Sequence, residues 1–225
     1  MNSNSSRSSS VPRILLLSLT TAVLLLPILF FIVSRFDTLK QLPVYGNKTT
    51  NTNGDTIYHQ IPDFHFVTHE NKSINLDSLS GKIHVADFFF TTCPGICPKL
   101  SKNLEEVHDF INTISDVVIV SYSIDPKNDS LPALAAYAKK HHANPQKWSF
   151  VRGQQDSVYT LATKGYLVPT ESGGGHENGF LHSQRIILVD KQLRIRGFYD
   201  GLDQNEINRL ITEIKTLVAE YKDLP

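Results

Sequence analysis

Cys93 and Cys97 are the only two cysteines in the chain, and they stand in Thr91-Thr92-Cys93-Pro94-Gly95-Ile96-Cys97-Pro98. An apolar run ending in Phe88-Phe89-Phe90 leads directly into them. On a helix, positions i and i+4 share one face, so two sulfurs at this spacing converge on a common point. A buried strand that runs into a helix N-terminus places them where unpaired backbone N–H groups and the helix dipole favour thiolates. Two such thiolates suit a soft metal ion or reversible thiol redox chemistry. The ordinary role of two lone cysteines is a structural disulfide. A structural pair seldom falls at the junction of a buried strand and a helix between two prolines, which favours chemistry.

The surrounding elements are those that such a site needs. An apolar strand is predicted over 83–90 and a helix over 97–114, with Leu100, Leu104, Val107, Phe110 and Ile111 along one side. A nearly continuous β-branched run over 117–124 reads as a strand buried on both faces. Helices over 131–141 and 155–164 flank a short strand over 148–151, and Gly173-Gly174-Gly175 marks a loop. Strands over 185–189 and 194–199 bracket a hairpin turn at Asp190-Lys191-Gln192, and an amphipathic helix closes the chain over 205–221. Before these, 61–67 reads as an entry strand with Pro62 at its edge, and 73–79 as a turn with a short helix. Alternation with a final hairpin and helix predicts an α/β domain with a mixed, mostly parallel central sheet covered on both sides.

The first 56 residues are of another kind. A short tail, 1–13, precedes an uncharged run over 14–33 that is interrupted only by Ser18, Thr20, Thr21 and Pro27. At about 1.5 Å per residue the run spans roughly 30 Å, one hydrocarbon core. No small-residue cleavage site follows, so residues 14–34 are expected to be an uncleaved transmembrane anchor. Arg7 and Arg13 before the run and Arg35 and Lys40 after it leave only a slight positive-inside bias. The amino terminus is read as inside, with the domain over 57–225 facing the periplasm from a bacterial inner membrane. The Ser- and Arg-bearing tail makes a mitochondrial inner membrane, facing the intermembrane space, the alternative. Residues 35–56 are polar and unpatterned and read as a tether.

Twenty-two basic and 22 acidic residues leave no net charge, which argues against a nucleic-acid partner. A single methionine, Met1, excludes a methionine-rich metal motif in the folded body.

The element order resembles the thioredoxin-like fold, a three-layer sandwich with its redox centre where this cysteine pair falls. Thioredoxins have two residues between their cysteines, whereas this chain has three. With that spacing, Thr-Thr-Cys93-Pro-Gly-Ile-Cys97-Pro resembles the Cys-Pro-x-x-Cys-Pro signature of the Sco/SenC family. Members of that family are membrane-tethered copper proteins that help assemble the CuA centre of cytochrome c oxidase. Ser123-Ile124-Asp125-Pro126-Lys127-Asn128-Asp129 resembles the family's Asp-Pro segment, and Leu181-His182-Ser183-Gln184-Arg185 its Asp-His-Ser/Thr segment. Leu181 replaces the acid that usually precedes the histidine.

The resemblance implies a copper site, Cu(I) or Cu(II), made by Cys93, Cys97 and His182, with Asp125 and Asp129 behind it or facing a partner. His182 enters the hairpin strand where thioredoxins place a cis-proline, and no proline stands there in this chain. The implied function is a copper metallochaperone rather than an enzyme, its partners the oxidase subunit that carries CuA and other copper chaperones or thiol reductants. A thiol–disulfide oxidoreductase using Cys93 and Cys97 is the alternative. A thiol peroxidase activated by Arg152 or Arg185, and a copper or redox sensor, rank below. Among other histidines, His84 reads as core or sheet edge. His141 and His142 read as complements to a helix dipole, His176 as part of a solvated loop, and His108 as a lesser competitor.

Overall fold

The computed structural model describes residues 25–27, 41–169 and 183–222. The chain divides into two units between Gln41 and Leu42. In the first, residues 25–27 are helical, and the rest of the expected anchor lies outside the described residues. No helix among the described residues is long and apolar enough to cross a membrane.

In chain order, the strands of the second unit are Lys48–Thr50 (β1), Thr56–Tyr58 (β2), His65–Thr68 (β3), Ser73–Asn75 (β4), Ile83–Phe89 (β5), Val117–Ser123 (β6), Trp148–Arg152 (β7), Arg185–Val189 (β8) and Ile195–Asp200 (β9). The helices are Cys97–Ile111 (α1), Leu131–Lys140 (α2), Gln155–Thr160 (α3) and Gln204–Lys222 (α4). Strands β1 and β2 form a separate antiparallel pair. The other seven form one mixed sheet in the order β4-β3-β7-β6-β5-β8-β9. Its centre is parallel, with β5 beside β6 and β6 beside β7, while β3 and β8 join antiparallel on either side.

Burial on both faces explains why β5 and β6 carry apolar runs instead of alternation. All seven residues of β5 are buried, as are all of β6 except Val118. Asp87 and Phe89 of β5, and Ser121 of β6, point to the helical side, where Phe89 packs 5.2 Å from the Tyr137 ring of α2. His84 and Phe88 point the other way, where Phe88 stacks on Tyr122 and meets the edge of Tyr166. The sheet is therefore covered on both sides, with α4 packed against α1.

Helix α1 starts at Cys97 because Pro98 fits its first turn, where no N–H is required. It buries Leu100, Leu104, Val107 and Ile111 against the sheet, each worth roughly 1.5–3 kcal/mol. Helix α2 is capped by Ser130, whose Oγ accepts the Ala133 N–H at 3.3 Å.

Several elements differ from expectation. The entry strand begins at His65, because Pro62 lacks a donor and the Phe64 N–H turns back to Asp63 Oδ1. Within 73–79, Ser73–Asn75 is a strand and Leu76–Ser78 one 3₁₀ turn that Asn75 and Ser78 cap reciprocally. The helix expected over 155–164 ends at Thr160 and widens into a π turn, Leu161–Gly165, after which Tyr166 enters the core. The stretch read as a tether, 35–56, contains β1 and runs into β2, and its Leu42–Tyr45 segment docks on the domain. Arg196 donates to the carbonyls of Leu42 and Pro43, the Leu42 N–H donates to Glu220, and Tyr45 bridges to Ile195. The loop at Gly173-Gly174-Gly175 lies outside the described residues.

Candidate functional site

Strand β5 delivers the chain through a turn at Thr91-Thr92 to Cys93, and α1 begins at Cys97. The Cys93 N–H donates to the Phe90 carbonyl at 3.3 Å. Both cysteines are free thiols, only 6% and 4% exposed, and they hydrogen-bond to each other. The structure thus brings together the two residues that the sequence singles out.

The protonation of Cys97 runs against the expectation of an easily formed thiolate. Burial pushes the Cys97 thiol well above its usual range, and its hydrogen bond to Cys93 pushes the same way. Contact with the Phe90 backbone opposes both and is outweighed. At this helix N-terminus the low dielectric overrides the dipole. Without a cation, Cys97 keeps its proton.

Asp129 lies behind the cysteine turn. Its carboxylate is fully buried and accepts the Thr91 N–H at 3.1 Å, the Thr91 hydroxyl at 2.5 Å and the Ser123 hydroxyl. It thereby ties the turn after β5 to the end of β6. Asp125 instead closes the 125–129 turn, its carbonyl accepting the Asp129 N–H and its carboxylate the Asn128 amide at 2.7 Å.

Asp87 is a functional candidate that reading the sequence missed. Its Oδ1 accepts the Ser121 hydroxyl at 2.5 Å, that hydroxyl accepts the Trp148 indole N–H, and Oδ2 has no partner among the described residues. Burial pushes this carboxyl up to about 7, and its charge acts on both Cys97 and Tyr137. The available signal is one carboxylate inside the apolar run over 83–90.

His182 and His176 lie outside the described residues. Among the described residues, no three His, Cys, Asp or Glu side chains form a metal-binding group. His84, His108 and His141 have structural partners. His84 is buried and pairs with the Tyr166 hydroxyl at 3.0 Å, and its burial lowers it to about 3. His108 accepts the Asn144 N–H. His141 is buried beside Glu105 at 2.9 Å, and burial holds it below its usual value. Arg152 donates to the Pro126 carbonyl, and Arg185 lies over the Phe198 ring.

The SCO1/SenC family model matches residues 52–219, a stretch that includes both cysteines, Asp125, Asp129 and His182. The chain belongs to the SCO1/SenC family. A SCO1 protein homolog of Bacillus subtilis is 26% identical over 164 residues, covering 72% of this chain and 84% of that protein. The solved structure of BsSco, described as a Sco family cytochrome c oxidase assembly protein with a disulfide switch, is 25% identical at a TM-score of 0.61. That match covers 71% of this chain and 93% of BsSco. ScoI of Arabidopsis thaliana, solved with copper bound, shares the fold at a TM-score of 0.57 and 24% identity, over 71% of this chain and 98% of that one. This SCO1/SenC chain therefore has the thioredoxin-type α/β fold with its cysteine pair at the strand-to-helix junction.

Proposed function

We propose that this protein binds one copper ion through Cys93, Cys97 and His182 and helps build the CuA centre of cytochrome c oxidase. The observation that carries the reading is the meeting of two buried, free thiols at the start of α1. Soft sulfur suits Cu(I), and an imidazole nitrogen extends the set to Cu(II). Burial makes an isolated thiolate costly here, so a cation that replaces the protons is the favourable way to ionise the pair. Family membership supports the same cargo, and a Sco relative was solved with copper bound. The oxidase role follows the assembly function named for BsSco. Residues 14–34 anchor the domain in the bacterial inner membrane, facing the periplasm.

A second reading, thiol–disulfide oxidoreductase, rests on the contact between the two thiols and on the disulfide switch named for BsSco. The two readings part in one assay. Copper-loaded, reduced protein is mixed with the metal-free, reduced CuA domain of an oxidase subunit. Appearance of the CuA absorption bands supports the chaperone. No copper transfer, with rapid reduction of the oxidised CuA domain by the metal-free protein, makes it a reductase.

A further inference from the structure

We propose that the cleft between the 126–131 turn and the start of α3 docks an acidic segment of a protein partner. The cleft holds about 590 Å³, within the usual range of ligand sites, and its polar lining is His65, Asn71, Lys127, Arg152, Gln154 and Gln155. No Asp or Glu among the described residues lines it. Arg152 donates one guanidinium nitrogen to the Pro126 carbonyl at 2.7 Å, which fixes its fork across the cleft. Neither Arg152 nor Lys127 forms an ion pair among the described residues.

Of the nearby carboxylates, Asp156 is exposed in the first turn of α3, and three others are engaged. Asp125 accepts from Asn128, Asp129 faces inward to Thr91 and Ser123, and Asp63 lies beside His65 on the cleft's rim. Two unpaired cations of different reach, one a planar fork, suit carboxylates. Leu131 and Pro126 add apolar wall, and the glutamine amides offer partners for a peptide backbone. With a net charge of zero over the chain, this is a local feature and lacks the basic surface of a nucleic-acid binder.

The position gives such an occupant a link to the cysteines. The turn that forms one wall also carries Asp129, which holds Thr91 ahead of Cys93. Docking at this cleft does not depend on copper, and metal-free protein suffices to test it.

Isotope-labelled full-length protein in detergent micelles is titrated with the capped peptide Leu-Glu-Glu-Leu, with its Leu-Gln-Gln-Leu counterpart, and with inorganic phosphate. The expected result is saturable movement of the Lys127, Arg152, Gln154 and Gln155 amide signals by the acidic peptide alone, followed by Thr91 and Cys93. Affinity should fall at least about tenfold in the Lys127→Gln/Arg152→Gln double variant and by less in Arg152→Lys, which keeps the charge and loses the fork. Because Lys127 is exposed, Lys127→Gln alone tests the charge without risk to the fold. Equal movement by the glutamine peptide, movement elsewhere only, or the same movement by phosphate would overturn the proposal.

Discussion

Asp129 holds Thr91 by both its N–H, at 3.1 Å, and its hydroxyl, at 2.5 Å, across 38 residues of sequence. The same carboxylate accepts the Ser123 hydroxyl, so one buried charge fixes the turn that presents Cys93. Hydrogen bonds to a charged group contribute about 1.5–3 kcal/mol. Asp129→Asn is therefore predicted to lower unfolding stability by roughly 2–3 kcal/mol in urea titrations. It should also speed alkylation of Cys93 in the still-folded protein, through a loosened turn. Unchanged Cys93 reactivity in the folded variant would make Asp129 a stability residue only.

Asp87 gives a pH dependence of definite sign. Its carboxyl moves from an ordinary 3.8 in the unfolded chain to about 7 in the fold. The folded state therefore favours the protonated form, and the penalty for Asp87 grows as pH rises from about 4 to 7. Over roughly three pH units, at about 1.4 kcal/mol each, the limit is about 4 kcal/mol. Asp87→Asn should then stabilise the protein more at pH 8 than at pH 5, measured by thermal melting at both. A variant with equal effects at the two pH values would show that Asp87 ionises normally.

Arg196 joins the docked start of the unit to its core. It is 3% exposed, pairs with Asp190 at 3.1 Å and Glu220 at 2.7 Å, and donates to the carbonyls of Leu42 and Pro43. Removing one partner of a buried ion pair costs about 3–5 kcal/mol. Arg196→Ala is expected to lose stability of that order and to expose residues 42–58 to limited proteolysis before the rest of the domain. Cleavage that begins elsewhere first would show that other contacts hold the segment.

Elements written in local pattern are readable from the sequence. The apolar runs of β5 and β6, the stripe of α1 and the hairpin turn between β8 and β9 are of this kind, and the spacing of Cys93 and Cys97 marks the site. Features that depend on distant partners are not readable. Asn47 to Asp55 has the composition of a linker, and only Arg196 and Glu220, far along the chain, explain why Leu42 and Pro43 dock. The Asp129–Thr91 contact has no local signature, and from its neighbours Asp129 reads as a turn residue. The helix dipole alone favours thiolates at α1, but the folded core imposes a burial on Cys97 that outweighs it. The π turn after α3 arises from tertiary packing of Tyr166 between Phe88 and His84.

The copper site itself is tested most directly by anaerobic copper titration of the reduced protein, with absorption and electron paramagnetic resonance spectra. One equivalent is predicted to bind, giving sulfur-to-Cu(II) charge-transfer bands and nitrogen hyperfine coupling. Cys93→Ala and Cys97→Ala should each lose the charge-transfer bands' intensity and most of the affinity, and His182→Ala should lose the nitrogen coupling. Stoichiometric binding with an unchanged spectrum in His182→Ala, or no stoichiometric binding by the native protein, would contradict the three-ligand copper site.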